Sequence, residues 1–176
     1  MNVISIDQSK TSTGVYCRVD KKDYFYRVRT KQGMCTGEAL QSIENQLSLI
    51  LGINTFDFAI MEGYAYGSPT VTISAEVGGV IKLVLSKFGI NDVIQIAPGS
   101  WKKHTIGTVK KSPVKPYLQA VNDKYKLFFD NTDEADAYMM YQAMKEVGIT
   151  HRPLTKADIR IKEFLKRMID KCKKDV

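Results

Sequence analysis

Four acidic side chains have the residue types and positions that divalent-metal chemistry requires. Asp7 ends the run NVISID, Glu62 ends the apolar run FDFAIME, and Asp133 and Asp136 stand three residues apart in DEADAYMMYQA. Residues three apart share one helix face, and Asp7 and Glu62 emerge side by side if the first and fourth strands are neighbours. Carboxylates so close repel strongly unless Mg²⁺ or Mn²⁺ neutralises them. Two such ions about 3.5–4 Å apart can activate water and stabilise the leaving oxygen in phosphodiester cleavage.

Each acid also has an ordinary structural explanation. Asp133 and Asp136 favour a helix N-terminus through the helix dipole, and Asp7 can open a turn before Ser9. Glu62 is harder to explain by packing, because it closes an apolar run and is followed by glycine and tyrosine. Taken together, the positions favour a shared site over separate structural roles.

Hydrophobic periodicity predicts the elements that must position these acids. The predicted strands cover residues 2–7, 15–19, 24–30, 56–62 and 93–97, and the predicted helices cover 36–52, 71–88, 116–124 and 133–147. Thr36 is the expected N-cap of the first helix, and a basic loop is expected between residues 100 and 115. Three initial strands followed by alternating helices and strands predict an α/β fold with a mixed five-stranded sheet, over a domain of residues 1–150.

The net charge is concentrated in one part of the chain. The 176 residues include 26 Lys and Arg against 19 Asp and Glu, a formal charge of +7. Residues 1–99 carry nine of each sign, whereas residues 100–176 carry 17 basic and 10 acidic side chains. A localised positive surplus attracts polyanions, which are most commonly nucleic acid or an anionic membrane.

Other classes of protein are disfavoured by the sequence. No apolar run approaches the roughly 18–20 residues that span a bilayer, and MNVISID is unlike a signal peptide, so a soluble cytoplasmic protein is expected. Cys17, Cys35 and Cys172 are odd in number and lack CxxC spacing, which favours reduced, structural thiols over disulfides or a zinc site.

The chain resembles the RuvC-type Holliday junction resolvases of the RNase H-like superfamily, including phage-type members. The resemblance rests on SIDQSKTSTG, AIMEGYAYG, KKHTIGTVKKSPV and DEADAYMMYQA, in the family's order and spacing, up to about residue 148. It implies an RNase H-like sheet of three antiparallel and two parallel strands, with Asp7, Glu62, Asp133 and Asp136 as catalytic carboxylates binding two Mg²⁺ ions. It also implies a homodimer that nicks two strands of a four-way DNA junction symmetrically.

The expected basic loop is a candidate for DNA binding. No acid lies between Asp92 and Asp123, whereas the segment contains Lys102, Lys103, His104, Lys110, Lys111 and Lys115. Such side chains suit phosphate contacts, although a solvated charge run is the simpler alternative. By resemblance, Lys103 and Lys111 flank the scissile phosphate, with Lys111 catalytic. The stretch is shorter than in typical bacterial members, which leaves Lys110 or Lys111 open for that role.

Three aromatic residues near the acids have two interpretations each. By resemblance, an aromatic residue whose position falls between Tyr64 and Tyr66 wedges into the junction core, and either tyrosine can serve this role by stacking on a base. The alternative is that both tyrosines cover the end of the next helix. Trp101 either anchors the loop by burial or stacks on a base. Helix 71–88 is the predicted dimer helix, since its apolar stripe is wide and Gly78-Gly79 permits close helix approach.

The segment 151–176 is not explained by the resemblance. Residues 155–172 predict a basic amphipathic helix, with apolar side chains at i, i+3, i+4, i+7 and i+8 from Ile161. It packs on the domain with its lysines solvated, widens the DNA-binding face, or braces the dimer; no lipid anchor supports a membrane role.

Three other functions are compatible with parts of the sequence. IDQSKTSTG also resembles the phosphate loop of actin-like sugar kinases, but those need two lobes and 176 residues supply barely one. A non-catalytic nucleic-acid-binding module would not need four acids near phosphate. The same nuclease chemistry on other branched DNA or on RNA–DNA hybrids is the third alternative.

Overall fold

A central mixed sheet separates two layers of helices. The computed structural model describes residues 1–64, 69–96, 100–106 and 114–147, and at residues 100, 103, 104, 114–116 and 147 it describes the backbone alone. The elements along the chain are β1 (Val3–Asp7), β2 (Ser12–Val19), β3 (Lys22–Arg29), α1 (Thr36–Gly52), β4 (Phe58–Glu62), α2 (Val71–Lys87), β5 (Val93–Ile96), α3 (Ser100–Ile106), α4 (Val114–Tyr125) and α5 (Thr132–Val147).

The strands are arranged in the order β3-β2-β1-β4-β5. The pairs β1–β2 and β2–β3 are antiparallel, whereas β1–β4 and β4–β5 are parallel. The prediction of a three-stranded antiparallel meander joined to two parallel strands is therefore confirmed.

The side chains of the sheet alternate between two cores. On one face, Ile4, Ile6 and Ala59 pack with residues of α1 and α2. On the other face, Tyr16 and Ile60 pack with residues of α3, α4 and α5. Because β1 and β4 are covered on both faces, their sequences are nearly continuous apolar runs, as expected for buried parallel strands.

The structure corrects two local predictions. The N-cap of α1 is Cys35 rather than Thr36, which is the first helical residue. The backbone N–H of Cys35 donates to Glu38 Oε2 at 3.2 Å, so Glu38 closes the helix start from its third position. Residues 100–106, predicted as part of a loop, form α3, because the buried Trp101 holds this segment against the core.

Helix α5 crosses the sheet at Gly14 of β2. A Cβ atom at Gly14 would overlap the backbone carbonyl of Asp133 and come within 2.8 Å of Glu134 N. Only glycine lets the first turn of α5 approach the strand this closely. In the part of the chain described above, no helix is both long and apolar enough to cross a membrane.

We predict that Gly14→Ala destabilises the protein by about 1–3 kcal/mol, the usual cost of overpacking a core, because the clash is with backbone. The measurement is urea unfolding followed by circular dichroism. Gly37→Ala is the matched control, since a Cβ there meets nothing within 4 Å; it should leave the free energy of unfolding unchanged or raise it by up to about 1 kcal/mol. Equal stability of Gly14→Ala and wild type would contradict the close approach.

Candidate active site

The carboxyl ends of β1 and β4 bring two of the predicted acids to one edge of the sheet. Ile6 pairs with Met61 across the parallel strands, so Asp7 and Glu62 are the next residues on each strand. Parallel neighbours end at the same edge, which is where α/β proteins commonly place their sites. The first and fourth strands are therefore neighbours, as the predicted shared site requires.

The first two turns of α5 carry the other two acids to the same place. The side chain of Asn131 caps the helix, accepting the Glu134 N–H at 3.0 Å. Asp133 faces the β1–β2 turn, where the Ser12 hydroxyl donates to its Oδ2. Asp136 is buried, with 6% of its surface exposed.

The electrostatics show that the acids share one environment. Burial raises the pKa of Asp7 well above its ordinary value, and the charges of Asp136, Glu62 and Asp133 raise it further. Burial likewise raises the pKa of Glu62 and of Asp136, and each of these also feels another acid of the group. Like charges in a desolvated site disfavour ionisation, so this cluster favours any cation that enters it.

Lys102 of α3 is a cation already placed among the acids. Its Nζ lies 2.7 Å from Asp136 Oδ2. The ammonium also lies 4.7 Å from the ring centroid of Trp101 and 5.3 Å from that of Tyr117, within the range of cation–π attraction. Its charge lowers the pKa of Asp7, Glu62 and Asp136, opposing the effect of burial.

Two hydroxyl groups that sequence reasoning missed hold the acids of α5. The Tyr117 hydroxyl of α4 donates to Asp136 Oδ1, and the Ser12 hydroxyl donates to Asp133 Oδ2. Both oxygens of Asp136 are therefore engaged, one by Tyr117 and one by Lys102. Nothing in the sequence around Tyr117 indicates this role, because the contact depends on how α4 packs against α5.

The burial of Trp101 confirms the prediction that this residue anchors its segment to the domain. Trp101 is 1% exposed and belongs to the core between the sheet and α3, α4 and α5. A contact with the indole lowers the pKa of Glu62, although no atom in the described ranges meets the full hydrogen-bond geometry with the indole Nε1. Its burial fixes α3 and so sets the position of Lys102, the next residue.

Tyr64 packs against α2 in this structure. A Cβ atom at Gly78 would come within 2.9 Å of the Tyr64 hydroxyl and 3.0 Å of Gln8 Oε1, so glycine leaves the room that these side chains use. Lys82 Nζ donates to the same hydroxyl at 3.3 Å. This geometry favours the alternative in which Tyr64 covers the helix. It also shows that Gly78 faces the interior, whereas Gly79 is open on the outer face of α2.

Several predicted DNA-binding residues are only partly described or lie outside the described residues. Lys103 and His104 are in α3 and Lys115 is in α4, but only their backbones are described. Lys110, Lys111 and Tyr66 lie outside the described residues, as does the segment 151–176 with its predicted helix. Their assignments stay predictions.

The chemistry of the four acids suits a hard divalent cation. Carboxylate oxygens are the ligands that Mg²⁺ prefers, and burial disfavours the charged form of three of these acids, Asp7, Glu62 and Asp136. Within the described ranges, no three acidic, histidine or cysteine side chains are already arranged around a common point as metal ligands would be. Lys102 instead supplies positive charge beside Asp136. Asp7, Glu62, Asp133 and Asp136 would be the ligands of such an ion.

The sheet order β3-β2-β1-β4-β5, with helices on both faces, is that of an RNase H-like fold. The solved structures that resemble the chain include RuvC of Thermus thermophilus, with a TM-score of 0.64 at 15% identity over 84% of this chain and 97% of that one. The same enzyme in complex with a Holliday junction substrate gives 0.64 at 16% identity, covering 82% and 93%. The fowlpox virus resolvase with substrate Holliday junction DNA gives 0.50 at 14% identity, covering 85% and 100%.

No protein-family model matches the chain, and no curated protein matches it. The similarity to resolvases is therefore a similarity of fold.

We predict that Asp7→Asn stabilises the metal-free protein by about 0.5–2 kcal/mol near pH 8, the range of single stabilising substitutions. The pKa of Asp7 is raised in the folded state, so between its ordinary and its raised pKa the folded protein binds more protons than the unfolded chain. The stability of the wild type therefore falls as the pH rises through this range. The advantage of Asn should shrink toward acidic pH, where the carboxyl is protonated in both states.

The measurement is thermal or urea unfolding in EDTA across pH. Asp123→Asn, which removes an exposed acid of α4, is the control and should leave the stability unchanged at every pH. A destabilised Asp7→Asn at pH 8 would mean that Asp7 is held by favourable contacts rather than by repulsion.

Proposed function

We propose that the chain is a Mg²⁺-dependent endonuclease that resolves four-way DNA junctions by paired symmetric nicks. The observation that carries the proposal is the convergence of Asp7, Glu62, Asp133 and Asp136, where burial first and then the charges of the other three acids raise the pKa of Asp7. The fold that holds them is shared with structures solved together with Holliday junction DNA. Acids in this arrangement would repel phosphate unless cations were bound.

In the proposed site the four carboxylates would hold two metal ions. When bound, Mg²⁺ would activate the attacking water and stabilise the leaving oxygen of the phosphodiester, and Mn²⁺ would substitute for it. Tyr117 and Ser12 orient Asp136 and Asp133 through their hydroxyl hydrogen bonds. They are positioning residues, comparable to the groups that orient ligands from outside other metal sites.

Lys102 has two roles in this proposal. Without metal it compensates the buried charge of Asp136 through the 2.7 Å ion pair. A divalent cation held by Asp136 would repel this ammonium, so Lys102 would be the side chain free to serve another anion. Its flexible stem lets the ammonium move toward a phosphate oxygen of the substrate. Lys103, Lys111 and their neighbours extend the same phosphate-binding surface in the proposal.

The remaining parts of the proposal concern the whole chain. Residues 1–150 form the nuclease domain, and residues 151–176 form a basic extension that enlarges the DNA-binding face or braces the dimer. Two active sites are needed for paired nicks, so the proposed enzyme is a homodimer. Its interface is the outer face of α2.

The outer face of α2 has the character of an interface. Ile73, Leu83 and Phe88, at the end of the helix, are 39%, 55% and 42% exposed. Gly79 lies between them on the helix, and a Cβ there meets nothing within 4 Å. A helix with apolar side chains around a surface glycine can approach a second copy closely.

Cleavage assays test the nuclease proposal. Wild type should nick a labelled four-way junction at paired symmetric positions with Mg²⁺ or Mn²⁺, and it should leave linear duplex, flap and RNA–DNA hybrid intact. Asp7→Asn should lose at least about 100-fold in rate, since even residues that only orient metal ligands cost 10–100-fold. Asp123→Asn should cleave as wild type does.

The same assay separates the alternatives. Cleavage that survives EDTA or Asp7→Asn would refute the metal-ion mechanism. Efficient cleavage of the flap or the hybrid would reassign the substrate while keeping the chemistry.

We predict that Gly79→Arg converts the dimer to a monomer, because the long side chain holds the two α2 helices apart. Light scattering of the purified protein measures the mass directly. Gly37→Arg is the matched control, since Gly37 is on α1 and its Cβ position is also open; it should leave the dimer intact. A dimer that persists in Gly79→Arg, or a monomeric wild type, refutes the α2 interface.

A further inference from the structure

Three cationic residues from the electrically neutral part of the chain lie on two neighbouring segments, the β1–β2 turn and the end of β3. Lys10 lies in the β1–β2 turn, Arg29 ends β3, and Lys31 follows it. Arg29 pairs with Ser12 in the β2–β3 register. The next residue, Thr30, donates its N–H to Thr11 O at 3.2 Å and its hydroxyl to Lys10 O at 2.9 Å. These three side chains are called the β1–β2 rim below.

The rim borders the acids on one side of β1. Ser12, the register partner of Arg29, donates to Asp133, and Gly14 pairs with Asp7. Since β3 is two strands from β1, Arg29 lies about 10 Å from the line of β1, given roughly 4.8 Å between strands. Lys102 reaches the acids from the segment after β5, on the opposite side of β1. The acid cluster thus has a source of positive charge on each side.

The charges of the rim are not neutralised by acids of the described chain. Arg29 and Lys31 are exposed, and the Lys10 ammonium donates to the neutral Thr36 Oγ1 at 3.3 Å. Arg27, on the same face of β3, behaves differently, because it lies 3.0 Å from Asp130 and 3.2 Å from Glu134. Arg27 therefore fastens α5 to the sheet, whereas the rim has charge available for a ligand.

The start of α1 adds to the positive potential of the rim. The contact between Lys10 and Thr36 places the first turn of this 17-residue helix beside the rim. A helix N-terminus carries a partial positive charge, and Glu38 in the first turn offsets part of it. The hydroxyls of Ser9 and Thr11 are exposed in the same turn and can donate hydrogen bonds.

We propose that the β1–β2 rim binds phosphates of a DNA strand that leads away from the acid cluster. The proposal rests on the nuclease function proposed above and extends its DNA-binding surface to the opposite side of the site. Along a duplex axis, about 10 Å corresponds to roughly three phosphates of one strand, at about 3.4 Å of axial rise each. A nucleic-acid backbone can therefore place one phosphate at the acids and others on the rim. Lysine, arginine and hydroxyl contacts of this kind position DNA without reading its sequence.

Binding measurements on the full chain test the rim. The rim triple variant carries Lys10→Gln, Arg29→Gln and Lys31→Gln, which remove the three positive charges of the rim. The control triple variant carries Lys21→Gln, Lys22→Gln and Lys145→Gln. It removes the same amount of charge, but at the opposite ends of the strands and of α5. The affinity for a four-way junction is measured by fluorescence anisotropy in Ca²⁺ at several salt concentrations. The rim triple should bind at least about tenfold more weakly, with the salt slope reduced by about 2–3, since each phosphate contact contributes about 0.9. The control triple should match wild type.

Circular dichroism verifies that each variant is folded. Lys31→Glu, which changes one exposed side chain, is the second variant and should reduce the slope by about 1 on its own. It keeps the test valid if the triple variant fails to fold.

The outcomes distinguish the rim from the proposed function. Wild type that binds no junction refutes both proposals. Wild-type binding with an unchanged affinity and slope in the rim variants refutes the rim alone. Equal weakening in the rim and control triples would mean that net charge, not this surface, governs binding, and it also refutes the rim.

Discussion

Repulsion among buried carboxylates is the constraint on which the rest of this structure depends. The ends of β1 and β4 and the first turns of α5 bring Asp7, Glu62 and Asp136 into one desolvated site, where the pKa of each is raised. Such a site is unfavourable for folding unless positive charge or hydrogen-bond donors surround it. Lys102 and Tyr117 provide both, and each of them comes from a different helix of the same layer.

The position of α5 is determined by contacts that serve this site. Gly14 gives the helix a place to cross β2, since any Cβ would overlap the carbonyl of Asp133. Arg27 joins β3 to the loop and first turn of the helix through Asp130 and Glu134. The first turn of α5 is thereby held against both β2 and β3. These contacts also fix the orientation of Asp133. A buried site with converging acids tolerates little movement of the helix that carries half of them.

The fold and the four acids were predictable because their signals are local. An apolar run that ends in an acid marks β1 and β4, and a three-residue spacing marks α5. The start of α3 was not predictable, because Ser100–Ile106 is short and its helical state depends on burial of Trp101 in the core. The role of Gly78 was read incorrectly for a related reason: two adjacent glycines look equivalent in the sequence, but the helix directs one inward to Tyr64 and the other outward.

The sequence by itself determined the strands, the helices α1, α2, α4 and α5, the positions of the four acids and the positive surplus after residue 99, since these follow from periodicity and composition. Only the tertiary structure decided which groups stabilise the acids. Lys102 and Asp136 are 34 residues apart, Tyr117 and Asp136 are 19 apart, and Ser12 and Asp133 are 121 apart. Contacts across such separations leave no pattern in either segment, because they depend on how helices pack on the sheet. The same packing collects Lys10, Arg29 and Lys31 from a half of the chain whose net charge is zero.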